Sequence, residues 1–461
     1  MIYLILLLGL ILRLVNLNQS FWLDEAAQVI ESSRPLIEQF DLSSDFHPPL
    51  FHLLLHFWLY LGKSEVGIRL FSVGLGLLSV FILYKLVRFN LSEKIALVSA
   101  LLLTINPYHI WYSQEARPYI LFLVTTLLAT YFLNKKNFSA YALSLAAAFY
   151  SVYTAVLLVP AHLLIIYLRD RKSLTEWLTS LGGAGLLFFP WLPHFFRQLQ
   201  VGFGNSLSGW TNVVSVPAIK LIPLTLAKFI FGRGSITNNF HYGLVVLPVF
   251  LIFAYGSYQA GTDKKHRGWL VLFGLPLVLS QILAFIWPVM APQRLIMLLP
   301  YFLVLIGIGL DKLKPKLFYL ALAIALLTNT AGLVQYYLNP YVQREQWRQA
   351  VRYVESQSRG KSLVIFDFSD AFAPWLWYSR GSVDYLAVAP DFKVSAQSLM
   401  SQSDRLQKSD QIFYFYYLTD LTDPRHNTIQ FIESLGFVET HKRDFPGVGF
   451  VATYEKILAF D

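Results

Sequence analysis

The sequence predicts a mainly α, polytopic membrane protein followed by a small α/β domain. Three observations lead there: little charge, apolar residues gathered into long runs, and a change of character near residue 340. Of 461 residues, 55% are hydrophobic and 14% charged, against roughly 25% charge in soluble domains. The runs approach the ~20 residues that cross a bilayer's hydrocarbon core, so lipid rather than one large core is their solvent. The net charge of +9 sits in short clusters between the runs. Such clusters orient loops at a membrane, and they argue against a nucleic-acid partner. With no cysteine, disulfides, thiolate metal sites and cysteine nucleophiles are excluded.

Eleven spans are expected, at Ile2–Leu17, Val66–Leu86, Ile95–Pro107, Tyr119–Leu133, Ala140–Phe149, Tyr153–Leu168, Trp177–Phe196, Tyr242–Tyr258, Trp269–Trp287, Leu295–Leu310 and Leu317–Tyr337. Met1–Val15 lacks a small-residue cleavage site and reads as a retained first span. The clusters Lys85/Arg88/Lys94, Lys135/Lys136, Arg169/Arg171/Lys172, Lys264/Lys265/Arg267 and Lys312/Lys314/Lys316 then share one face, as cytoplasmic loops do. One long helix over Ala140–Leu168 would move the last three clusters to the other face, so two crossings are expected there. The parity puts the N-terminus in the cytoplasm. Outside it puts Asn18–Glu65, Tyr108–Pro118, Arg197–His241, the turn around Pro288–Gln293, and everything after Asn339.

Residues 1–339 thus form the expected transmembrane domain and 340–461 a soluble extracytoplasmic one. In the latter, strands at Ser362–Phe368, Val383–Val388, Gln411–Leu418, Gly436–Lys442 and Val448–Lys456 alternate with helices at Gln346–Ser356, Ala371–Tyr378 and Arg425–Leu435. That alternation predicts an α/β layer. No glycine-rich phosphate loop follows the first strand, so nothing supports nucleotide binding.

The unusual polar residues collect on the external side. Phe21-Trp22-Leu23-Asp24-Glu25-Ala26 places an acidic pair beside the first span, where carboxylates are costly and usually functional. The plain alternative makes Asp24 the N-cap of a membrane-surface helix running to Phe40. In Asp45-Phe46-His47-Pro48-Pro49-Leu50, the prolines either aim His47 into a site or simply start the interfacial run Leu50–Leu61. His52 and His56 lie one helical turn apart but have no acidic third ligand nearby, so they read as interfacial side chains, not zinc ligands. The second external loop, Tyr108-His109-Ile110-Trp111-Tyr112-Ser113-Gln114-Glu115-Ala116-Arg117-Pro118-Tyr119, holds an acid and a base. Glu115 and Arg117 either form a structural pair or, since residues two apart do not face each other on a helix, each addresses another group. Arg69 and Arg294 stand at external span ends, against the positive-inside trend; they either hold an anion or snorkel to headgroups.

Converging beside one cleft, carboxylates and cations of this kind suit displacement of a phosphate leaving group by an acceptor hydroxyl. One carboxylate takes the proton while cations stabilise the departing phosphate. A lipid-linked sugar phosphate accounts for a site at the bilayer edge.

Arg13 with Phe21-Trp22-Leu23-Asp24-Glu25, His47-Pro48-Pro49-Leu50, Arg69-Leu70-Phe71-Ser72, Gln114-Glu115-Ala116-Arg117-Pro118-Tyr119 and Pro292-Gln293-Arg294 resemble the GT-C class of membrane glycosyltransferases. Within it they look like the protein O-mannosyltransferase and lipid A aminoarabinose transferase superfamily. The resemblance implies a GT-C fold, with interfacial helices in the first external loop at Ala26–Phe40 and Leu50–Leu61. It implies Asp24 as catalytic base, Glu25 as its companion and Glu115 as the second loop's acidic residue. His47, Arg69, Arg117 and Arg294 would bind the donor phosphate, and Trp22, Tyr112, Gln114 and Tyr119 would contact sugar or acceptor. Relatives often carry lysine where His47 stands, and a histidine where this chain has Tyr150-Ser151-Val152-Tyr153. Arg344-Glu345-Gln346-Trp347-Arg348 resembles the start of an extracytoplasmic domain found in some members.

The implied reaction transfers a monosaccharide from a polyprenyl-phosphate donor to an extracytoplasmic protein, lipid or glycan at the cell membrane, with inversion if displacement is direct. No cofactor is expected, and a divalent metal is not required where protein cations neutralise the phosphate. The competing reading is a transporter or flippase of anionic lipid-linked substrates. Its mark, repeated halves with interrupted charged segments in mid-membrane, is not found in the sequence. A receptor or scaffold would explain the C-terminal domain and leave Asp24 and Glu115 idle.

Overall fold

The computed structural model describes residues 1–40, 42, 47–203, 216–234, 236, 238–286, 290–389 and 392–456. Asp45, Phe46 and Pro288 of the expected external segments lie outside the described residues. The helices of the first three hundred and forty or so residues are, in chain order, α1 (Ile2–Leu14), α2 (Leu23–Ser32), α3 (Leu50–Trp58), α4 (Glu65–Asn90), α5 (Glu93–Ile105) and α6 (Pro107–Ser113). Then come α7 (Tyr119–Asn134), α8 (Phe138–Phe149), α9 (Leu158–Arg169), α10 (Leu174–Phe188) and α11 (Leu192–Phe203). The series ends with α12 (Leu221–Phe231), α13 (Asn239–Thr262), α14 (Arg267–Ile286), α15 (Leu299–Asp311) and α16 (Pro315–Leu338).

All of these except α2 belong wholly or mainly to a helical unit of Met1–Leu17, Arg34–Gln200 and Val214–Val342. Each of the eleven apolar runs contains a helix. Among the described residues, five helices are long and apolar enough to cross a membrane, α4, α13, α14, Pro292–Asp311 and α16; counting the bent pair α5–α6 as one span gives six. Shorter apolar helices include α1, α7, α8 and Tyr153–Arg169.

The 62° bend between α5 and α6 is set locally. Asn106 accepts from the His109 N–H at 3.0 Å and donates to the Phe229 carbonyl at 2.8 Å, while Pro107 occupies the first turn of α6. A capping side chain followed by proline starts a new helix and cannot continue the old one. The first external loop folds into α2, a 3-10 turn at Leu36–Phe40, and α3 continued by Leu59–Leu61. Helix α12 is an addition to the sequence reading, which left Arg197–His241 as a loop. Its 11 residues, LIPLTLAKFIF, include Pro223 and Lys228 and are too few to register as a span.

The five basic clusters meet at one end of the helical unit. Lys94 pairs with Asp311 at 3.1 Å, and Lys136 with Asp170 at 2.6 Å. Lys135 Nζ sits 3.9 Å from the Phe89 ring centroid, and Arg169 donates to the Lys265 carbonyl at 3.0 Å. Helices α8 and α9 therefore leave from and return to the same end of the helical unit, as two separate helices over the stretch where two crossings are expected. Arg69 and Arg88 lie near opposite ends of α4.

Helices α13 and α15 cross where Gly256 meets Gly309. A Cβ on Gly256 would stand 1.9 Å from the Leu305 carbonyl oxygen, and one on Gly309 would stand 2.8 Å from the Gly256 Cα. Small residues of this kind let membrane helices approach closely. Gly256→Leu is expected to force the pair apart at a cost of about 1–3 kcal/mol or more, read as a lower unfolding temperature in detergent. A variant as stable as the parent would show the crossing to be loose.

In the second unit, Asn18–Ser33 joins the chain from Gln343 onward. Its sheet has the order β2-β1-β3-β5-β4. Strand β1 (Ser362–Phe366) runs parallel to β2 (Asp384–Ala387) and β3 (Gln411–Phe415). Strand β5 (Gly449–Lys456) is antiparallel to both β3 and β4 (Phe437–Phe445). Alternate side chains of β1 serve opposite faces, as strand geometry requires. Val364 and Phe366 pack with Trp347, Val351 and Val354 of helix α17 (Trp347–Gln357) and Trp375 of α18 (Phe372–Tyr378), whereas Leu363 and Ile365 pack with Ile412, Tyr414 and Ile432. Leu23, from the start of α2, belongs to the first of these clusters.

Candidate functional site

The acidic pair rides on α2 within the second unit. Trp22 occupies the N-cap position and makes no side-chain cap bond, so the reading of Asp24 as an N-cap is corrected: Asp24 lies inside the first helical turn. Glu25 is buried and Asp24 only half-buried, which leaves Asp24 the more accessible carboxylate. Both favour the helix by lying at the positive end of its dipole.

The stretch before Asp24 is strapped to the rest of its unit. The Phe21 N–H donates to the Tyr378 hydroxyl at 2.6 Å, and the Phe21 ring lies 5.6 Å from that of Trp377. The Leu23 N–H donates to Glu345 Oε2 at 3.2 Å, as does the Trp347 indole at 2.7 Å; the Tyr417 hydroxyl donates to Glu345 Oε1 at 3.1 Å.

Burial, aided by the nearby Asp24 charge, raises Glu345 to about 7 despite these donors. Asp367 is raised to about 6, mainly by burial, although Thr422, Tyr414 and Thr428 donate to it. A carboxyl raised on folding contributes stability that is complete below its unfolded value and is lost as pH climbs through the folded one. The second unit is therefore expected to melt at falling temperatures as pH rises from about 4.5 to 7. Glu345→Gln and Asp367→Asn should each flatten that slope, followed by calorimetry on the whole protein; an unchanged slope in both would refute the assignment.

The helical unit brings together part of the second set. The Arg117 guanidinium donates to His47 Nδ1 at 3.1 Å, and the His47 ring meets Tyr119 edge-on at 5.6 Å. Tyr119 in turn packs on Tyr112 at 5.1 Å, and Tyr112 on Tyr108 at 4.9 Å. Arg117 thus addresses His47, and Glu115 is buried close to Tyr112.

Two other predicted residues contact the chain leaving α1. Gln114 donates to the carbonyls of Arg13 at 2.8 Å and Val15 at 2.7 Å. Arg69, buried, donates to Leu17 at 3.0 Å. Arg294 is half-buried on the 3-10 helix Pro292–Leu298, where its carbonyl accepts from Thr154 at 2.6 Å. His52 is fully buried rather than interfacial, and His56 packs edge-on to Tyr60 at 5.6 Å. Among the described residues, no group of three His, Asp or Glu is placed to hold a metal ion.

Several contributors were missed by sequence reasoning. Gln198 on α11 donates to the Leu42 carbonyl at 3.1 Å and accepts from Tyr153, tying α11 to the loop ahead of His47. His109 and Ser79 are others: the His109 Nδ1 accepts from buried Arg13 at 2.6 Å, and its Nε2 lies 2.8 Å from Ser79 Oγ. Arg233 stands 4.4 Å from the Trp111 ring centroid. It lies in Arg197–His241, which the sequence assigns to the external side. The signal used for Arg69 and Arg294, a cation against the positive-inside trend, would have found it.

Residues 46–195, less than half of the chain, match the family model described as dolichyl-phosphate-mannose-protein mannosyltransferase. No curated protein matches the sequence. ArnT from Cupriavidus metallidurans bound to undecaprenyl phosphate superposes with a TM-score of 0.64 at 12% identity, covering 99% of this chain and 98% of that one. Its apo form gives 0.62 at 12% identity, with coverages of 98% and 97%. The Archaeoglobus fulgidus oligosaccharyltransferase complexed with zinc and sulfate gives 0.56 at 12%, covering 98% of this chain and 72% of that one. The chain therefore has the GT-C fold of these membrane glycosyltransferases.

Proposed function

We propose that the protein is a glycosyltransferase that moves a monosaccharide from a polyprenyl-phosphate carrier to an acceptor on the extracytoplasmic side of the cell membrane. In this reading the eleven helical runs cross the bilayer, with the N-terminus cytoplasmic and the C-terminal domain outside. The short crossings rely on neighbouring helices to satisfy their ends. The observation that carries the reading is the half-buried Asp24 in the first turn of α2, in a chain whose fold matches nearly the whole length of a structure bound to undecaprenyl phosphate.

Asp24 accepts the acceptor's hydroxyl proton as that oxygen bonds to the anomeric carbon. The bond from that carbon to the phosphate oxygen breaks, and its electron pair leaves with the prenyl phosphate. His47 and Arg117, with Arg69 and Arg294, supply donors and positive charge to the phosphate. With Nδ1 accepting from Arg117, a neutral His47 carries its proton on Nε2. Glu115 orients donor or acceptor, and Trp22, Tyr112, Gln114 and Tyr119 line the sugar's surroundings.

The test is turnover of undecaprenyl-phosphate-linked hexoses and pentoses by the whole protein in nanodiscs. Sugar release or transfer that disappears in Asp24→Asn supports the enzyme. Movement of intact lipid across the bilayer without turnover supports a transporter and ends this reading. Losing one charge-assisted contact costs about 1.5–3 kcal/mol, so Arg117→Ala is expected to raise the donor KM about tenfold or more. Arg117→Lys should recover it only in part, because an ammonium cannot hold imidazole and phosphate in the same fork. An unchanged KM in Arg117→Ala would remove Arg117 from the donor site.

A further inference from the structure

We propose that Glu345 is a positioning residue for Asp24, closing the first turn of α2 from a segment 322 residues away in sequence and so fixing where the Asp24 carboxylate stands. The proposal rests on the reading of Asp24 as the base. A helix start leaves backbone N–H groups without partners. Ser, Thr, Asp or Asn at the N-cap usually supplies one, but α2 has Trp22 there and no side-chain cap. Glu345 Oε2 takes over, accepting from the N–H of Leu23, the residue immediately before Asp24.

The carboxylate has a rigid mount. The Trp347 and Tyr417 donors grip its two oxygens. Trp347 stacks on Phe415 of β3 with ring centroids 5.6 Å apart and planes 11° from parallel, and Tyr417 meets Trp347 edge-on at 4.9 Å. Its main chain is held as well. The Ser20 hydroxyl donates to the Glu345 carbonyl, the Arg344 N–H donates to Gln19 Oε1 at 2.8 Å, and the Arg348 guanidinium donates to the Asn18 carbonyl. Residues 18–23 are thus laced along 344–348, directly before Asp24. The charge of Asp24 acts on both Glu345 and Tyr417, which places the three groups in one neighbourhood. The segment containing Arg344-Glu345-Gln346-Trp347-Arg348 thereby acquires a catalytic purpose: it holds the general base in register.

The experiment uses the whole protein in nanodiscs and an undecaprenyl-phosphate hexose or pentose that the parent turns over. Glu345→Ala is expected to lower kcat about tenfold or more while donor KM stays within about twofold. Amide exchange should quicken in the peptide covering 18–33 and nowhere in the helical unit. Glu345→Gln retains an acceptor oxygen and should restore activity to within about threefold of the parent. Asp24→Asn/Glu345→Ala should be no slower than Asp24→Asn alone, because a positioning residue has nothing left to position. If Glu345→Ala fails to fold, Tyr417→Phe decides, with an expected kcat loss of about two- to fivefold at unchanged KM. Parent-like kcat in Glu345→Ala, or additive losses in the double variant, overturns the proposal and leaves Asp24 as the base. Full activity in Asp24→Asn overturns both.

Discussion

Asp24→Asn should leave a folded protein whose sugar transfer is about 10²–10⁴-fold slower. The substitution keeps the shape and hydrogen-bond acceptance of the side chain and removes only its capacity to take a proton. A carboxylate in a first helical turn is worth roughly 0.3–1 kcal/mol through the dipole, and losing the charge relieves repulsion felt by Glu345. A 10²–10⁴-fold rate loss corresponds to about 3–5 kcal/mol. Turnover of a prenyl-phosphate sugar and the unfolding temperature, measured on one preparation, separate the two effects. Glu25→Gln provides the contrast. Glu25 is buried, so its replacement should act on stability first and on rate only in proportion. Activity in Asp24→Asn within about threefold of the parent would exclude Asp24 as general base.

The parts of this architecture legible in sequence are those set by local composition. Apolar runs predict helices because a chain in lipid has to satisfy its own backbone, and each of the eleven runs contains a helix. The basic clusters were legible because lysine and arginine in short loops obey one rule, and Lys94–Asp311 and Lys136–Asp170 unite them at one end of the helical unit. Helix α12 was not legible, since Pro223 and Lys228 interrupt a run of only 11 residues. At the site, Arg117 donates to His47, 70 residues away, a distance no local pattern encodes. Still less visible was the allegiance of Asn18–Ser33. Its sequence follows directly on the first span, yet Leu23 buries itself among Trp347, Phe366, Trp375 and Phe415, more than 300 residues on. The sequence-level boundary at 339/340 separates two stretches of chain and says nothing about which loop the later stretch will recruit.

That recruitment makes the C-terminal domain more than an appendage, and ending the chain after Val342 is expected to abolish donor turnover while the helical unit stays folded. Helix α2 has 10 residues, and isolated helices shorter than about 12–15 residues are marginal in water. Without residues 343–461 it loses the cluster that buries Leu23, the Tyr378 hydroxyl that holds the Phe21 N–H, and the Glu345 carboxylate at its first turn. Burial of one large apolar side chain is worth about 1.5–3 kcal/mol, and no residue inside 18–33 can replace those partners. The helical unit has a separate core, including Phe122, Tyr301 and Phe302, so far-UV circular dichroism and gel filtration should report an intact bundle. The outcome separates two views of the domain. If it only binds acceptor, the shortened chain still transfers the sugar of a prenyl-phosphate donor to water, releasing prenyl phosphate at the parent's rate. If it holds α2 in place, hydrolysis and transfer vanish together, and rapid amide exchange across 18–33 accompanies their loss.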